Sequence, residues 1–276
     1  MTFLGVFGLW LQEKELAGRA DAARIAEELT GVARRIAEAA RIEEGSRVLD
    51  VGSGTGAVAL AAADRGGMVT ATDLDAGALR RGRDLARSLE APVLYTLADA
   101  RGLPFPDASF DVSAHRSVLV YMERRERAVT EERRVLRPGG AVSCSESLGA
   151  GLDLESDDPG IDRVWRGGMR EILIDAPDAF TLSAPHLLAL YEQNGFQEVS
   201  VAAVRHDVVL DSPDAVARTL ATSPSIGLSA RERWQRAGVA APLVDEFLAR
   251  LSADAERGRP ATLVASEGFL TARAPG

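Results

Sequence analysis

A glycine-rich loop from Asp50 to Gly56, with the pattern D-x-G-x-G-x-G, has the clearest potential for chemistry in this sequence. The apolar residues 47–51 predict a short buried strand and the alanine-rich residues 55–65 a helix, so the loop joins a strand to a helix. Glycines suit such a sharp turn because they allow unusual backbone angles and the close approach of a ligand. Free N–H groups at the start of the helix could bind that ligand, although the loop alone equally fits a plain strand-to-helix turn.

Two acidic residues, Asp73 and Asp99, follow the next two predicted strands. Ligands of open α/β sheets bind at the carboxyl ends of the strands, where Asp73 could accept both hydroxyls of a ribose. Asp99 would face the same crevice and could accept a hydrogen bond from an adenine amino group. The alternatives are a helix cap for Asp73, a role that Asp75 could fill equally well, and a solvated loop carboxylate for Asp99.

Strands alternate with helices along the chain, which predicts a parallel sheet covered by helices on both faces. The apolar run at residues 2–11 is too short to span a bilayer, and we expect it to pack on the core. Residues 138–140 predict a tight turn. The predicted helices are residues 21–41, 55–65, 76–89, 123–136 and 184–193, and the predicted strands are residues 47–51, 68–72, 92–97, 110–114, 141–145, 196–204 and 261–271.

The stretch from about Val48 to Ser145 resembles the class I S-adenosylmethionine (SAM)-dependent methyltransferases, in particular their UbiE-like small-molecule group. The resemblance implies a Rossmann-like α/β fold: a seven-stranded, mostly parallel sheet with helices on both faces, an antiparallel last strand and helical cap insertions. Four segments carry it in order and spacing: LDVGSGTG at 49–56, TDL at 72–74, DARGLPF at 99–105 and RVLRPGG at 134–140.

The same resemblance implies SAM as the methyl donor and S-adenosylhomocysteine (SAH) as its product. It places residues 52–54 near the methionine moiety, Asp73 at the ribose, Leu74 against the adenine face and residues 99–100 at the adenine edge. His115, just past the fourth predicted strand, would contact the methionine portion, and Asp50 would support the loop or the amino group. The predicted donor-binding residues are Asp50, Gly52, Ser53, Gly54, Thr55, Gly56, Asp73, Leu74, Asp99, Ala100 and His115.

Methyl transfer mainly requires an acceptor placed in line with the sulfur–methyl bond, and a general base only where the acceptor is a hydroxyl or an acidic carbon. His115 is the predicted base because it follows the strand end that faces the donor; the alternative is a hydrogen-bonding wall residue. Cys144, inside a predicted strand, fits a buried, inert thiol. Glu146 could reach the acceptor or cap a loop. The remaining candidates for a base are His186, His206 and Tyr121.

Composition restricts the partners. The formal net charge of −9 argues against nucleic acid, as does the absence of an Asn/Asp-Pro-Pro-aromatic turn at 113–116, where the chain reads SAHR. The single cysteine excludes an intrachain disulfide and fits a reducing cytoplasm, and we predict no metal site. We expect a small-molecule acceptor and no stable membrane insertion, and we leave the oligomeric state open, with a homodimer as one possibility.

We predict a single methyltransferase domain over residues 1–276. Its parts are an N-terminal helical segment at 1–44, a SAM-binding core at 45–148, an insertion at 149–182 and a helical insertion at 211–258 between the last two strands. As a hypothesis, the last of these caps the acceptor site.

The predicted function is methyl transfer from SAM to a small molecule, with a secondary metabolite as the first choice and O-methylation ahead of N- or C-methylation. One alternative is a methyltransferase-like enzyme that uses bound SAM for cyclisation or decarboxylation, because its donor-binding residues would look the same. Another is an NAD-dependent oxidoreductase, against which the glycine spacing and the lack of a recognisable hydride-transfer dyad count.

Overall fold

A computed structural model describes residues 2–17, 22–149, 152–175, 182–221 and 229–276. The chain divides into two compact units. Unit 1 comprises Met1–Glu146, Pro185–Ala202 and Phe269–Gly276, and unit 2 comprises Ser147–Ala184 and Ala203–Gly268.

Eight strands form one mixed sheet in the order β3-β2-β1-β4-β5-β8-β6, with β7 paired to β8. The pairs among β1 to β5 are parallel, so their carboxyl ends share one edge of the sheet. In the register there, Val51 of β1 lies between Thr72 of β2 and His115 of β4. The strands are β1 (Arg47–Val51), β2 (Met68–Asp73), β3 (Val93–Leu97), β4 (Phe110–Arg116), β5 (Leu136–Ser147), β6 (Asp153–Glu155), β7 (Gln197–Leu210) and β8 (Ala261–Arg273).

The helices of unit 1 pack on this sheet through small and aliphatic side chains. Helix α1 belongs to that core, since Leu4 and Phe7 are buried and its first N–H groups donate to the Asp64 carboxylate. The expected packing of the N-terminal apolar run is therefore confirmed. The helices are α1 (Phe3–Trp10), α2 (Ala22–Ala39), α3 (Ala57–Ala63), α4 (Ala76–Ser88), α5 (Arg125–Val135) and, apart from its first residue, α8 (Ala184–Gln193).

Unit 2 has its own apolar core. Trp165 and Trp234 are fully buried in it and donate their indole N–H groups to Asp153 Oδ1 (2.9 Å) and to the Met169 carbonyl (2.8 Å). Strand β6 pairs antiparallel with β8 within this unit. The helices are α6 (Pro159–Val164), α7 (Arg170–Asp175), α9 (Pro213–Val216), α10 (Ala230–Arg236) and α11 (Ala241–Glu256), with π-helical turns at Trp165–Met169 and Ala217–Ala221.

The predicted α/β sheet with a reversed last strand is confirmed, but it has eight strands instead of seven. The additional strand is β6, whose three residues fall in the predicted insertion 149–182 and are too few to leave a clear pattern. The predicted insertions also include 150–151, 176–181 and 222–228, which lie outside the described residues.

Several predicted strand boundaries are wrong; β7, for example, continues to Leu210 and not to residue 204. Strand β4 continues to Arg116, so His115 lies inside it and not past its end. Strand β5 begins at Leu136, because residues 138–140 form an irregularity within the strand and not a turn before it: Phe110 pairs with Leu136 while Val112 already pairs with Ala141.

In the part of the chain that the structure describes, no helix is both long enough and apolar enough to cross a membrane. The same residues include no group of three or more His, Cys, Asp or Glu side chains that could hold a metal ion.

Candidate functional site

The glycine loop between β1 and α3 needs its glycines for two different reasons. Gly52, Gly54 and Gly56 all have positive φ angles, of 61°, 55° and 100°, which side-chain-bearing residues rarely adopt. A Cβ atom on Gly52 would stand 2.5 Å from Val118 Cγ2, and one on Gly56 would collide with the Tyr95 hydroxyl. A Cβ on Gly54 would meet no described atom within 4 Å. Gly54 therefore presents backbone to open space, where a ligand could approach closely.

Asp73, at the end of β2, holds this loop. Its Oδ2 accepts a hydrogen bond from Gly54 N (2.7 Å) and its Oδ1 one from Asp75 N (2.8 Å). Asp75 itself caps helix α4 by accepting from Gly77 N (2.7 Å) and Ala78 N (3.1 Å). The capping role that either acid could have filled thus belongs to Asp75, and Asp73 lies at the loop.

Asp50 supports the loop from beneath. Its side chain is 1% exposed, and Oδ2 accepts a hydrogen bond from Ala59 N (2.9 Å) in the first turn of α3. Burial raises the pKa of Asp50 from 3.8 to about 8, although the Ala59 N–H and the charge of His115 act in the opposite direction. Asp50 Oδ1 and Ser53 Oγ are buried and have no hydrogen-bond partner among the described residues. Polar atoms of this kind usually have a partner, so both atoms fit a polar ligand at this loop.

The adenine side of the predicted site is open. Leu74 follows β2 with 65% of its surface exposed, and the end of β3 lies next to the end of β2, where Ala98 N donates to the Asp73 carbonyl (3.1 Å). The Asp99 carboxylate binds the Arg101 guanidinium (Nη2–Oδ2 2.7 Å), which lowers the pKa of Asp99. The remaining predicted residues at this edge, Thr55 and Ala100, are partly buried.

His115 lies in a closed cluster of polar side chains behind the sheet edge, and it is 1% exposed. Its Nδ1 is 3.1 Å from Glu146 Oε1, and its Nε2 is 3.0 Å from the Tyr191 hydroxyl. Tyr191 donates to Glu132 Oε2 (2.9 Å), and Ser113 donates to Glu132 Oε1 (2.6 Å).

Burial by itself would lower the pKa of His115, but Cys144 and the Glu132 and Glu146 carboxylates raise it well above the ordinary value. The ring is closed off from solvent, its Nε2 is hydrogen-bonded to Tyr191, and its Nδ1 has no hydrogen-bond partner among the described residues. The geometry therefore lends the predicted base role no support. Cys144 is buried and burial raises the pKa of its thiol, as expected of an inert cysteine.

Glu146 caps a loop: its carboxylate accepts hydrogen bonds from Val118 N, Leu119 N and Val120 N at 2.8, 2.9 and 3.0 Å. Of the two roles the sequence left open for it, the structure shows this one. Of the other candidate bases, His206 pairs with Glu267 in unit 2 (3.2 Å), and Tyr121 and His186 are exposed.

Glu132 and Tyr191 were not among the site residues predicted from the sequence. A signal for Glu132 was available, because it shares the buried face of α5 with Ala128, Val129 and Val135, and a carboxylate on an apolar helical face requires a buried partner. Tyr191 likewise follows the buried Leu187 by one helical turn in α8.

Residues 49–144 match the family model described as a methyltransferase domain. The ubiquinone/menaquinone biosynthesis C-methyltransferase UbiE of Ralstonia pickettii is 44% identical over 116 residues, covering 40% of this chain and 46% of that protein. The 27-O-demethylrifamycin SV methyltransferase of Amycolatopsis mediterranei is 31% identical over 160 residues, covering 56% and 59%. This chain therefore spans about half the length of these curated relatives.

The crystal structure of a putative methyltransferase from Bacillus halodurans superposes with a TM-score of 0.61 at 18% identity, covering 89% of this chain and 100% of that one. The fold is thus that of a methyltransferase over most of the chain, whereas the family model matches residues 49–144, from β1 into β5. On the family model and these relatives, residues 49–144 are similar to the methyltransferase domain of UbiE-like enzymes.

Proposed function

We propose that this chain binds SAM at the glycine loop and transfers its methyl group to a small-molecule acceptor, releasing SAH. The observation that carries the proposal is the pairing of Gly54, whose backbone faces open space, with the Asp73 carboxylate at the end of the neighbouring strand. This pairing places open backbone and an acid side by side, as an amino acid joined to a ribose requires.

The residues present fit the donor. The unpartnered Ser53 Oγ would bind its amino-acid end, Asp73 its ribose hydroxyls, and Leu74 with Asp99 its adenine. When bound, SAM supplies an electrophilic methyl carbon on a sulfonium centre. The Asp99 carboxylate already accepts from the Arg101 guanidinium, and its remaining lone pairs could accept from an adenine amino group.

The acceptor is proposed to be a small metabolite of the cytoplasm, with a secondary metabolite first and an oxygen atom ahead of nitrogen or carbon. By their names, one of the relatives acts in ubiquinone and menaquinone biosynthesis and the other on 27-O-demethylrifamycin SV. Both are similar to part of this chain. We therefore assign donor binding to residues 45–148 and acceptor choice to the insertions 149–182 and 211–258.

Calorimetric titration with SAH, beside NAD, tests the donor site. The wild-type protein should bind SAH saturably with one site and NAD far more weakly, and Asp73→Ala should weaken SAH binding by about tenfold or more through the loss of charge-assisted hydrogen bonds. Asp75→Ala is the matched control, because it removes a carboxylate two residues away that caps α4 and does not hold the loop. Equal losses in the two variants, or no SAH binding by folded wild-type protein, would overturn the proposal.

A second measurement separates methyl transfer from a reaction that keeps SAM intact. Incubation with labelled SAM and a panel of small-molecule acceptors should yield methylated product and SAH in equal amounts. Conversion of an acceptor without any SAH would instead assign the chain to a non-methylating relative.

A further inference from the structure

Glu146 lies at the end of β5 with its side chain 0% exposed, yet it is ionisable and makes three hydrogen bonds to one short segment. The donors are the consecutive N–H groups of residues 118–120, which open the turn Leu119–Tyr121. Consecutive N–H groups at the start of a helical turn lack partners within the turn itself, and a carboxylate satisfies them well.

The orientation of the Glu146 carboxylate is fixed from behind. His115 Nδ1 lies 3.1 Å from Oε1, and the far side of the ring is held by the Tyr191 hydroxyl, which itself donates to Glu132. His115 thus lies between the Glu146 and Glu132 carboxylates, in a cluster whose side chains are all buried.

The clamped segment follows a sharp turn. Ser117 has a φ of 52°, a left-handed conformation that costs energy for a residue with a side chain, and its N–H donates to the Ser145 carbonyl (2.7 Å). Such a conformation persists only where the surroundings hold it. Arg125 Nε adds a further bond to the same segment through the Leu119 carbonyl (2.6 Å).

This segment lies against the glycine loop. Val118 occupies the space next to Gly52, since a Cβ on Gly52 would fall 2.5 Å from Val118 Cγ2. The position of Val118 therefore limits the conformations open to the first glycine of the loop, and the Glu146 carboxylate fixes the position of Val118.

We infer that Glu146 is a positioning residue for the donor loop: by holding the N–H groups of residues 118–120 it keeps Val118 against Gly52, and donor affinity depends on it without contact to the donor. The inference rests on the proposed function for its ligand, but the coupling between the two segments is a property of the free protein.

The test uses Glu146→Gln in the full chain. An amide keeps one acceptor oxygen but replaces the other by an NH2 donor, which cannot accept a hydrogen bond. Residues 118–120 therefore lose at least one of the hydrogen bonds that they donate to Glu146. SAH affinity measured by calorimetry should fall by about tenfold. Amide hydrogen exchange of the free protein should accelerate at residues 118–120 and at residues 52–56 together. Asp64→Asn is the control, because that carboxylate caps α1 in the same unit by the same chemistry and should change neither readout.

A double-mutant cycle with Val118→Ala decides whether the effect passes through Val118. Val118→Ala alone should weaken SAH binding, and adding Glu146→Gln to it should cost much less than in the wild-type background. Full additivity, or a Glu146→Gln protein with a lower Tm but unchanged SAH affinity and unchanged exchange at 52–56, would overturn the inference. Should Glu146→Gln fail to fold, Glu146→Asp, which keeps the charge but shortens the reach, takes its place in the cycle.

Hydrogen exchange also separates this inference from the proposed function. If wild-type protein binds no SAH, the donor assignment fails, while faster exchange at both segments in Glu146→Gln would still support the coupling. Binding of SAH by the wild type, with exchange in the variant confined to residues 118–120, would sustain the function and overturn the coupling.

Discussion

The carboxyl edge of the parallel sheet is built in two different ways on its two sides. On the β1–β2 side the glycine loop and Asp73 are held mostly by backbone hydrogen bonds, with an exposed leucine beside them. On the β4–β5 side His115, Glu146 and their partners form a closed network of side chains. The first arrangement leaves Ser53 Oγ at the loop without a partner, where a ligand could bind it, whereas the second is closed to solvent and holds the backbone of residues 118–120. The open side thus suits binding and the closed side suits positioning.

The largest effect should come from the glycine at the junction of the two sides. Gly52→Ala adds a left-handed strain and a clash with Val118, so we expect it to cost about 3 kcal/mol of unfolding free energy and to abolish measurable SAH binding. Gly54→Ala adds the strain alone, about 1–2 kcal/mol, because its Cβ meets open space among the described residues. Urea unfolding and calorimetry on both variants check this. Equal destabilisation would mean that Val118 moves away freely and that the two sides are not coupled.

The pH dependence of the unfolding free energy should distinguish the buried Asp50 beneath the loop from the exposed Asp75. The pKa of Asp50 is raised by burial, to about 8, so the folded state holds a proton that the unfolded chain releases near 3.8. Stability from Asp50 is therefore complete below about pH 4 and is lost as the pH rises toward 8, by about 1.4 kcal/mol per pH unit. Asp50→Asn, which mimics the protonated form, should flatten this slope in urea unfolding between pH 5 and pH 8.

The pKa of Asp75 is shifted in the opposite direction to that of Asp50. Hydrogen bonds from Ala78 N and Gly77 N lower its pKa, so its contribution is present above the unfolded pKa and is lost only as the pH falls through the acid range. Asp75→Asn should therefore leave the slope between pH 5 and pH 8 as it is in the wild type. A wild-type profile that is flat over this range would contradict the neutral, buried state of Asp50.

A substitution on the closed side should lower the unfolding free energy more than it lowers the affinity for SAH. Tyr191→Phe removes the hydroxyl that joins His115 to Glu132 and leaves a buried ring nitrogen and a carboxylate oxygen without that partner. We expect a loss of about 2 kcal/mol in unfolding free energy, with SAH affinity changed less than by Glu146→Gln, since Tyr191 makes no described contact with residues 118–120. A loss of SAH affinity larger than that of Glu146→Gln would place Tyr191 nearer the donor than the closed side allows.

The same contrast explains what the sequence could predict. The glycine loop and Asp73 depend on residues close in sequence and on steric needs that only glycine meets, so the sequence pattern correctly placed the loop between a strand and a helix and Asp73 at the end of the next strand. The closed network joins β4, α5, β5 and α8 through single side chains such as Glu132 and Tyr191, whose pairing depends on tertiary packing. His115 illustrates the limit: its residue type suggested a base, but the sequence does not encode locally that it is buried between the Glu132 and Glu146 carboxylates. The short strand β6 was missed because three residues are too few to show alternation.

The smallest effect tests whether the open side includes the adenine face. Leu74 after β2 and Leu94 in β3 are both exposed leucines, at 65% and 70%, so replacing either by alanine should change the unfolding free energy by less than about 0.5 kcal/mol. Only Leu74→Ala should weaken SAH binding, by about fivefold, because an adenine lying on Leu74 would lose about 1 kcal/mol of apolar contact. Calorimetry on the pair makes the comparison. If both variants bind SAH as the wild type does, the ligand-binding surface ends at Asp73, and the exposure of Leu74 reflects only the surface position of the turn into α4.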